Sequence, residues 1–169
     1  MKRLLLLVSC FVCAGAFAQD ADKAIEAVKE KLSLDDRTSV FDVKAVPTNG
    51  PTVLTGETSV PQAKEELFRM LEDQGVETID AITLLPDEKA LNGKTYGVIR
   101  IPVGTLRYGP SYASEQATQL LMGTPVRILK KAGWYLVQTP EDYVSWVSSS
   151  SVEPMTRQQF NEYLSHKKL

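Results

Sequence analysis

The sequence predicts an α+β chain: a small α-β-β-α-β unit, then an all-β barrel, then a short C-terminal helix. Three observations predict it. Apolar residues recur at helical spacing twice before Gly75, with alternating segments after each. From Tyr96 onward the pattern is short strands separated by turn residues. After Pro154 a helical spacing returns, behind a capping signature.

A leader precedes these elements. Residues 1–18 begin with Lys2-Arg3, run apolar from Leu4 to Val12 and end in Ala16-Phe17-Ala18, the pattern of a secretory signal peptide. The alternative is a lipoprotein site at Leu7-Val8-Ser9-Cys10 with Cys10 lipidated, although only a short apolar run precedes that box. Both cysteines, Cys10 and Cys13, lie in the leader, so the exported chain is expected to hold no cysteine and one histidine, His166. Thiol nucleophiles, thiolate metal sites and His-paired nucleophiles are thereby excluded. Of the 169 residues, 151 follow Ala18, and losing Lys2 and Arg3 from 19 basic against 21 acidic residues leaves a net charge of about −4. That offers no basic face for nucleic acid. No later apolar run approaches the ~18–20 residues of a membrane span. The expectation is an exported, most simply periplasmic, protein with no transmembrane segment.

The first unit is expected over residues 20–85. Asp20 stands where it would cap a helix with Ala21, Ile25, Val28 and Leu32 on its apolar side. Phe41, Val43 and Ala45 then alternate with Asp42 and Lys44, as on a half-buried strand. Pro47 to Pro51 is a turn, and Thr52–Glu57 a second strand. Ser59 with Gln62 suggests a capping box for a helix burying Ala63, Leu67, Met70 and Leu71, which Gly75 ends. Ile79 to Leu85 supplies the third strand. This order, with Val53-Leu54-Thr55-Gly56 and Gly75-Val76, resembles a BON domain. The resemblance implies a small exported module associated with envelope surfaces, including phospholipid. Gly56 and Gly75 are equally readable as backbone necessities of a generic α+β unit, and Lys23, Lys29, Lys31 and Arg37 are interleaved with acids, so charge marks no lipid-binding face.

Residues 86–95 are polar with Pro and Gly, and read as a linker. Residues 96–154 are expected to form a small closed or partly closed barrel. Ile99, Ile101 and Val103 alternate, Gly104 to Ser114 reads as a loop, and strands follow at Thr118–Met122, Pro125–Leu129, Trp134–Thr139 and Tyr143–Val147. Thr105-Leu106-Arg107-Tyr108-Gly109-Pro110-Ser111 resembles the opening of a bacterial SH3-like domain. Gly123-Thr124-Pro125-Val126, Trp134-Tyr135-Leu136-Val137 and Tyr143-Val144-Ser145-Trp146-Val147 follow in that family's order. The likeness extends to the N-terminal region of NlpC-type cell-wall endopeptidases, in which such modules precede a Cys–His catalytic domain. Two departures stand out: Glu141-Asp142 where Asp-Gly is usual, and Ser145 where Gly is common. The family's nucleophile and histidine have no counterpart before Leu169. In the tail, residues 155–169, Thr156 with Gln159 makes a capping box, Met155 and Phe160 have staple spacing, and Phe160, Tyr163 and Leu164 would share one side. That side would pack on the barrel or dock a partner.

The barrel holds most of the aromatics. A loop carrying Tyr108, Pro110 and Tyr112, facing a strand that offers Tyr143 or Trp146, would make an aromatic-walled groove. Glu115 is the carboxylate placed to hold an ammonium group there. The resemblance implies that Glu115 and Tyr143 read the free amino end of a peptidoglycan stem peptide. Each has a plainer reading: Trp134 and Trp146 as core, Tyr108 and Tyr112 as loop packing, Arg107 as a loop brace, Glu115 as a surface carboxylate. Asp35-Asp36 and Glu65-Glu66 are sequence neighbours that point apart, and Gly104–Gly109 lacks a phosphate loop's Lys-Ser/Thr ending. The expectation is a non-catalytic binding protein, with no cofactor or metal, for peptidoglycan peptide or a cell-wall hydrolase. Its rivals are the recognition half of an NlpC-type endopeptidase and a protein inhibitor of a wall hydrolase.

Overall fold

A computed structural model describes residues 20–166. The expected signal peptide, and with it Cys10 and Cys13, lies outside the described residues. The chain divides into two compact units: one runs to Leu34 and resumes over Val40–Leu84, and the other combines Asp35–Ser39 with everything from Leu85 onward. No described helix is long and apolar enough to cross a membrane.

In the first unit, helix α1 covers residues 20–31 and buries Ala21, Ala24, Ile25 and Val28. Asp20 lies inside the helix, where its carboxylate pairs with Lys23, so the expected Asp20 cap does not form. Strands β1 (Phe41–Val46) and β2 (Thr52–Thr58) form an antiparallel hairpin, and β3 (Thr78–Leu84) lies parallel to β2 after the crossover helix α2 (Pro61–Asp73). The order is α-β-β-α-β, as the apolar periods predict. One core joins Val28, Phe41, Val43, Leu54, Leu67 and Leu71, with the expected Met70 only at its margin. The Ser59–Gln62 box is also absent. Val60 is the N-cap and Pro61, which has no N–H to satisfy, opens the helix. The Ser59 hydroxyl instead accepts from the Val40 amide, fastening the start of β1 beside the end of β2. Gly75 ends α2 with φ +70°, and Gln74 is its C-cap.

The second unit is a seven-stranded antiparallel sheet wrapped over a single core. Its strands are β4 (Tyr96–Ile99), β5 (Val103–Arg107), β6 (Gln116–Leu121), β7 (Pro125–Ala132), β8 (Trp134–Gln138), β9 (Val144–Val147) and β10 (Val152–Met155), in the order β10-β4-β7-β8-β9-β5-β6. Ile99, Leu106, Ile128, Val137, Val147 and Val152 fill its inside. Ile99, Ile101 and Val103 are not one strand: the chain bends at 100–102 and β5 begins there, so Gly104–Arg107, expected in the loop, are strand. Gly104 packs against the Ile99 side chain, where a larger residue would meet that branched chain. Strand β10 was concealed by Pro154 and its four-residue length. Residues 86–95 are not a free connector, for Leu91 joins this core, Thr95 is buried and the Asp87 amide donates to the Leu129 carbonyl. Helix α3 (Arg157–His166) is opened by the expected box, Thr156 amide to Gln159 Oε1 and Gln159 amide to Thr156 Oγ1. It lies on the β4–β10 edge, with Phe160 stacked on Tyr96 at 4.9 Å and the Tyr163 hydroxyl donating to the Gly123 carbonyl.

Candidate ligand surface

Residues alternate sides along β8 and β9. Tyr135, Val137 and Val147 enter the core, which leaves Trp134 and Trp146 on the outer side. Register then aligns Arg107, Trp146, Leu136 and Lys130 in one row across β5, β9, β8 and β7. The Lys130 ammonium stands 5.3 Å from the Trp146 ring centroid, within cation–π range. Trp146 is half-buried, so it belongs neither to the core nor to open solvent.

The loop after β5 is short and braced. The Tyr108 amide donates to the Glu115 carbonyl, closing its base, and Arg107 Nη1 donates to the Ser114 carbonyl at 2.6 Å. The Arg107 brace is the plainer of the two readings its sequence position allows. A β-bulge between Leu106 and Arg107 turns the strand into this loop. Tyr112, at the loop tip, packs edge-on against Trp134 at 4.8 Å, and its hydroxyl meets Ser148 Oγ at 3.3 Å. Glu115 is exposed, with no side-chain partner among the described residues.

Tyr143 and Ser148 flank opposite ends of β9, so Tyr112 and Tyr143 do not share a ring contact. The Arg37 guanidinium is held charged first by its hydrogen bonds to Asp35. The Arg37 carbonyl accepts from the Val144 amide at 2.7 Å, which places the 35–39 segment alongside the start of β9. The surface carries one aromatic contact, Tyr112 with Trp134, and Tyr108 and Tyr143 are both exposed. Sequence reasoning left Arg37 among interleaved surface charges because Val144, its partner in the fold, lies about a hundred residues away.

The Glu141-Asp142 departure leaves the β8–β9 turn intact. Asp142 adopts φ +67°, the left-handed conformation that glycine supplies in Asp-Gly, and an Asp tolerates it better than most residues. The Asp142 amide donates to the Thr139 carbonyl and the Tyr143 amide to Thr139 Oγ1, which fixes the backbone that carries Tyr143. Ser145 is buried in its strand without interrupting the pairing. No group of three or more His, Cys, Asp or Glu side chains suited to a metal occurs among the described residues.

A sequence profile described as the bacterial dipeptidyl-peptidase Sh3 domain matches residues 106–152, the stretch from the end of β5 to the start of β10. The second unit thus contains a bacterial SH3-like domain within a mixed α+β chain. No curated relative matches the chain. Among solved structures, NlpC2 from Trichomonas vaginalis is similar at 15% identity with a TM-score of 0.32, over 35% of this chain. The chain spans 23% of the length of that structure.

Proposed function

We propose that this protein is an exported, periplasmic, non-catalytic binding protein whose SH3-like unit recognises peptidoglycan stem peptide or the wall enzyme that acts on it. The observation that carries the reading is the SH3-type match over residues 106–152, a domain type described from a peptidase. Glu115 supplies an exposed carboxylate beside a closed loop base, suited to a peptide ammonium group. Tyr108 and Tyr143 supply flat, half-exposed faces whose contact costs little side-chain entropy. The first unit, read as BON-like, adds a second envelope contact, and two linked weak contacts gain avidity without new chemistry.

The test is sedimentation of the exported chain with peptidoglycan sacculi, beside Glu115→Ala and Tyr143→Ala. Binding that falls at least fivefold in both variants supports a stem-peptide reader on this surface. No binding by the unaltered protein overturns it. The same match to a peptidase-type domain favours a second reading, the recognition half of an endopeptidase acting with a separate Cys–His domain. Wall-peptide cleavage that this chain accelerates only when such a domain is supplied distinguishes the second reading from the first. Inhibition of a hydrolase without wall binding would replace both with an inhibitor.

A further inference from the structure

The 35–39 segment belongs to the second unit and is closed by its own hydrogen bonds. The Asp35 carboxylate accepts from the Arg37 amide at 2.8 Å, from Arg37 Nε at 3.1 Å and from Arg37 Nη2 at 2.7 Å. The Asp35 carbonyl accepts from the Thr38 and Ser39 amides and from both their hydroxyls. With its carbonyl on the Val144 amide, Arg37 is fixed at its backbone and along one edge of its guanidinium. A guanidinium has five N–H donors in a fixed fork. Asp35 occupies the Nε–H and one on Nη2, which leaves one donor on Nη2 and two on Nη1, and the Nη2 donor and one from Nη1 form an open outer edge. The side chain is 66% exposed.

We propose that Arg37 is an anion-binding residue of the ligand surface, taking a peptide carboxylate on the N–H donors that Asp35 leaves open. The inference rests on the stem-peptide reading for its ligand class and adds to it a second charged contact, of opposite sign to Glu115. Two features of the chemistry select a carboxylate. The open edge is planar and suits a planar, two-oxygen acceptor. Asp35 already neutralises the guanidinium, so a singly charged anion is favoured over a phosphate dianion. Asp35 itself acts as a positioning residue, aiming the fork and removing its rotamer freedom before the ligand arrives.

The test is a nuclear magnetic resonance titration of the exported chain with alanyl-glutamate and, separately, alanyl-glutamine, both as their C-terminal amides, so that only the first carries a carboxylate. The backbone amide signals of residues 35–39, present in every variant, are the reporter, and the Val144 amide signal checks that the segment stays docked. Alanyl-glutamate should bind at least fivefold more tightly than alanyl-glutamine. Arg37→Gln should bring that ratio to about one while the Val144 signal stays in place, and Arg37→Lys should give an intermediate ratio because it keeps charge without the fork. Equal or undetectable responses to the two dipeptides in the unaltered protein overturn the proposal. So does a preference that survives Arg37→Gln, or inorganic phosphate outcompeting alanyl-glutamate at equal concentration. Sacculus binding without the dipeptide preference would leave the stem-peptide reading and remove Arg37 from it. The preference without sacculus binding would do the reverse.

Discussion

Asp35 shows how a partly exposed residue can still be chemically distinctive. Hydrogen bonds from the Arg37 side chain, then from its amide, hold the carboxyl at about 2 against an ordinary 3.8. A carboxyl depressed on folding favours the folded segment above its ordinary value and loses that preference as pH falls through the lowered one. The 35–39 segment should therefore be indifferent to pH above about 4 and loosen as pH approaches 2. A carbon-detected titration of Asp35 should give a midpoint near 2, moving back toward 3.8 in Arg37→Gln; an unchanged midpoint would mean the fork is not the cause. Gly56 makes a different kind of residue-scale demand. It sits at φ +117° opposite Val43, and a Cβ there would run into the Asp42 carbonyl. Gly56→Ala combines an unfavourable backbone conformation with a backbone clash, and should cost about 2–4 kcal/mol in chemical denaturation. A cost below about 1 kcal/mol would show that the β1–β2 hairpin yields easily.

Among the elements, α3 is the most dependent on others. None of its residues is buried, so its stability comes from its capping box, the Phe160–Tyr96 stack and the Tyr163 hydrogen bond. Arg157 adds a hydrogen bond from Nη2 to the Tyr96 hydroxyl at 2.8 Å. Phe160→Ala should remove about 1–2 kcal/mol of this docking and speed hydrogen exchange of the α3 amides roughly tenfold. Exchange in β8 and β9 should not change. If α3 exchanges no faster, the stack is not what holds it. The same helix shows what is readable from sequence. Its cap is local, four residues interacting with one another, and the box at Thr156 and Gln159 forms as spaced. The box expected at Ser59 and Gln62 has the same spacing, but Pro61 already removes one orphan donor and the Ser59 hydroxyl is taken by Val40. A tertiary partner decided the second case, and no residue nearby in sequence signals it. Strand boundaries fail for a related reason: at 99–103 alternation continues through a bend because Ile99 and Ile101 both reach the same core from different directions. The aromatic candidates were legible as residues but not as groupings, since register across β5, β8 and β9 sorts them.

At the scale of the molecule there are two separate cores, each with its own fully buried centre. Leu67 is wholly buried in the first. Leu67→Ala should cost about 2–5 kcal/mol, read as faster exchange throughout β2 and α2. A loss under 1 kcal/mol would mean that α2 can collapse onto the space left behind. Charge outlines the same unit from outside: Glu66, held at about 2 by Arg69 and then Lys31, links α2 back to the chain at the end of α1. The larger division of the chain is less simple than the change of pattern near Pro86 implies, because five residues from before β1 are part of the barrel-like unit. For gene fusion and module swapping, that unit is not a single cassette. A fragment cut at Leu85 keeps every strand but strips the Val144 amide of its acceptor and deletes Arg37 outright. A graft meant to transfer this unit must therefore carry residues 35–39 as a second insert, or supply their equivalent from the host.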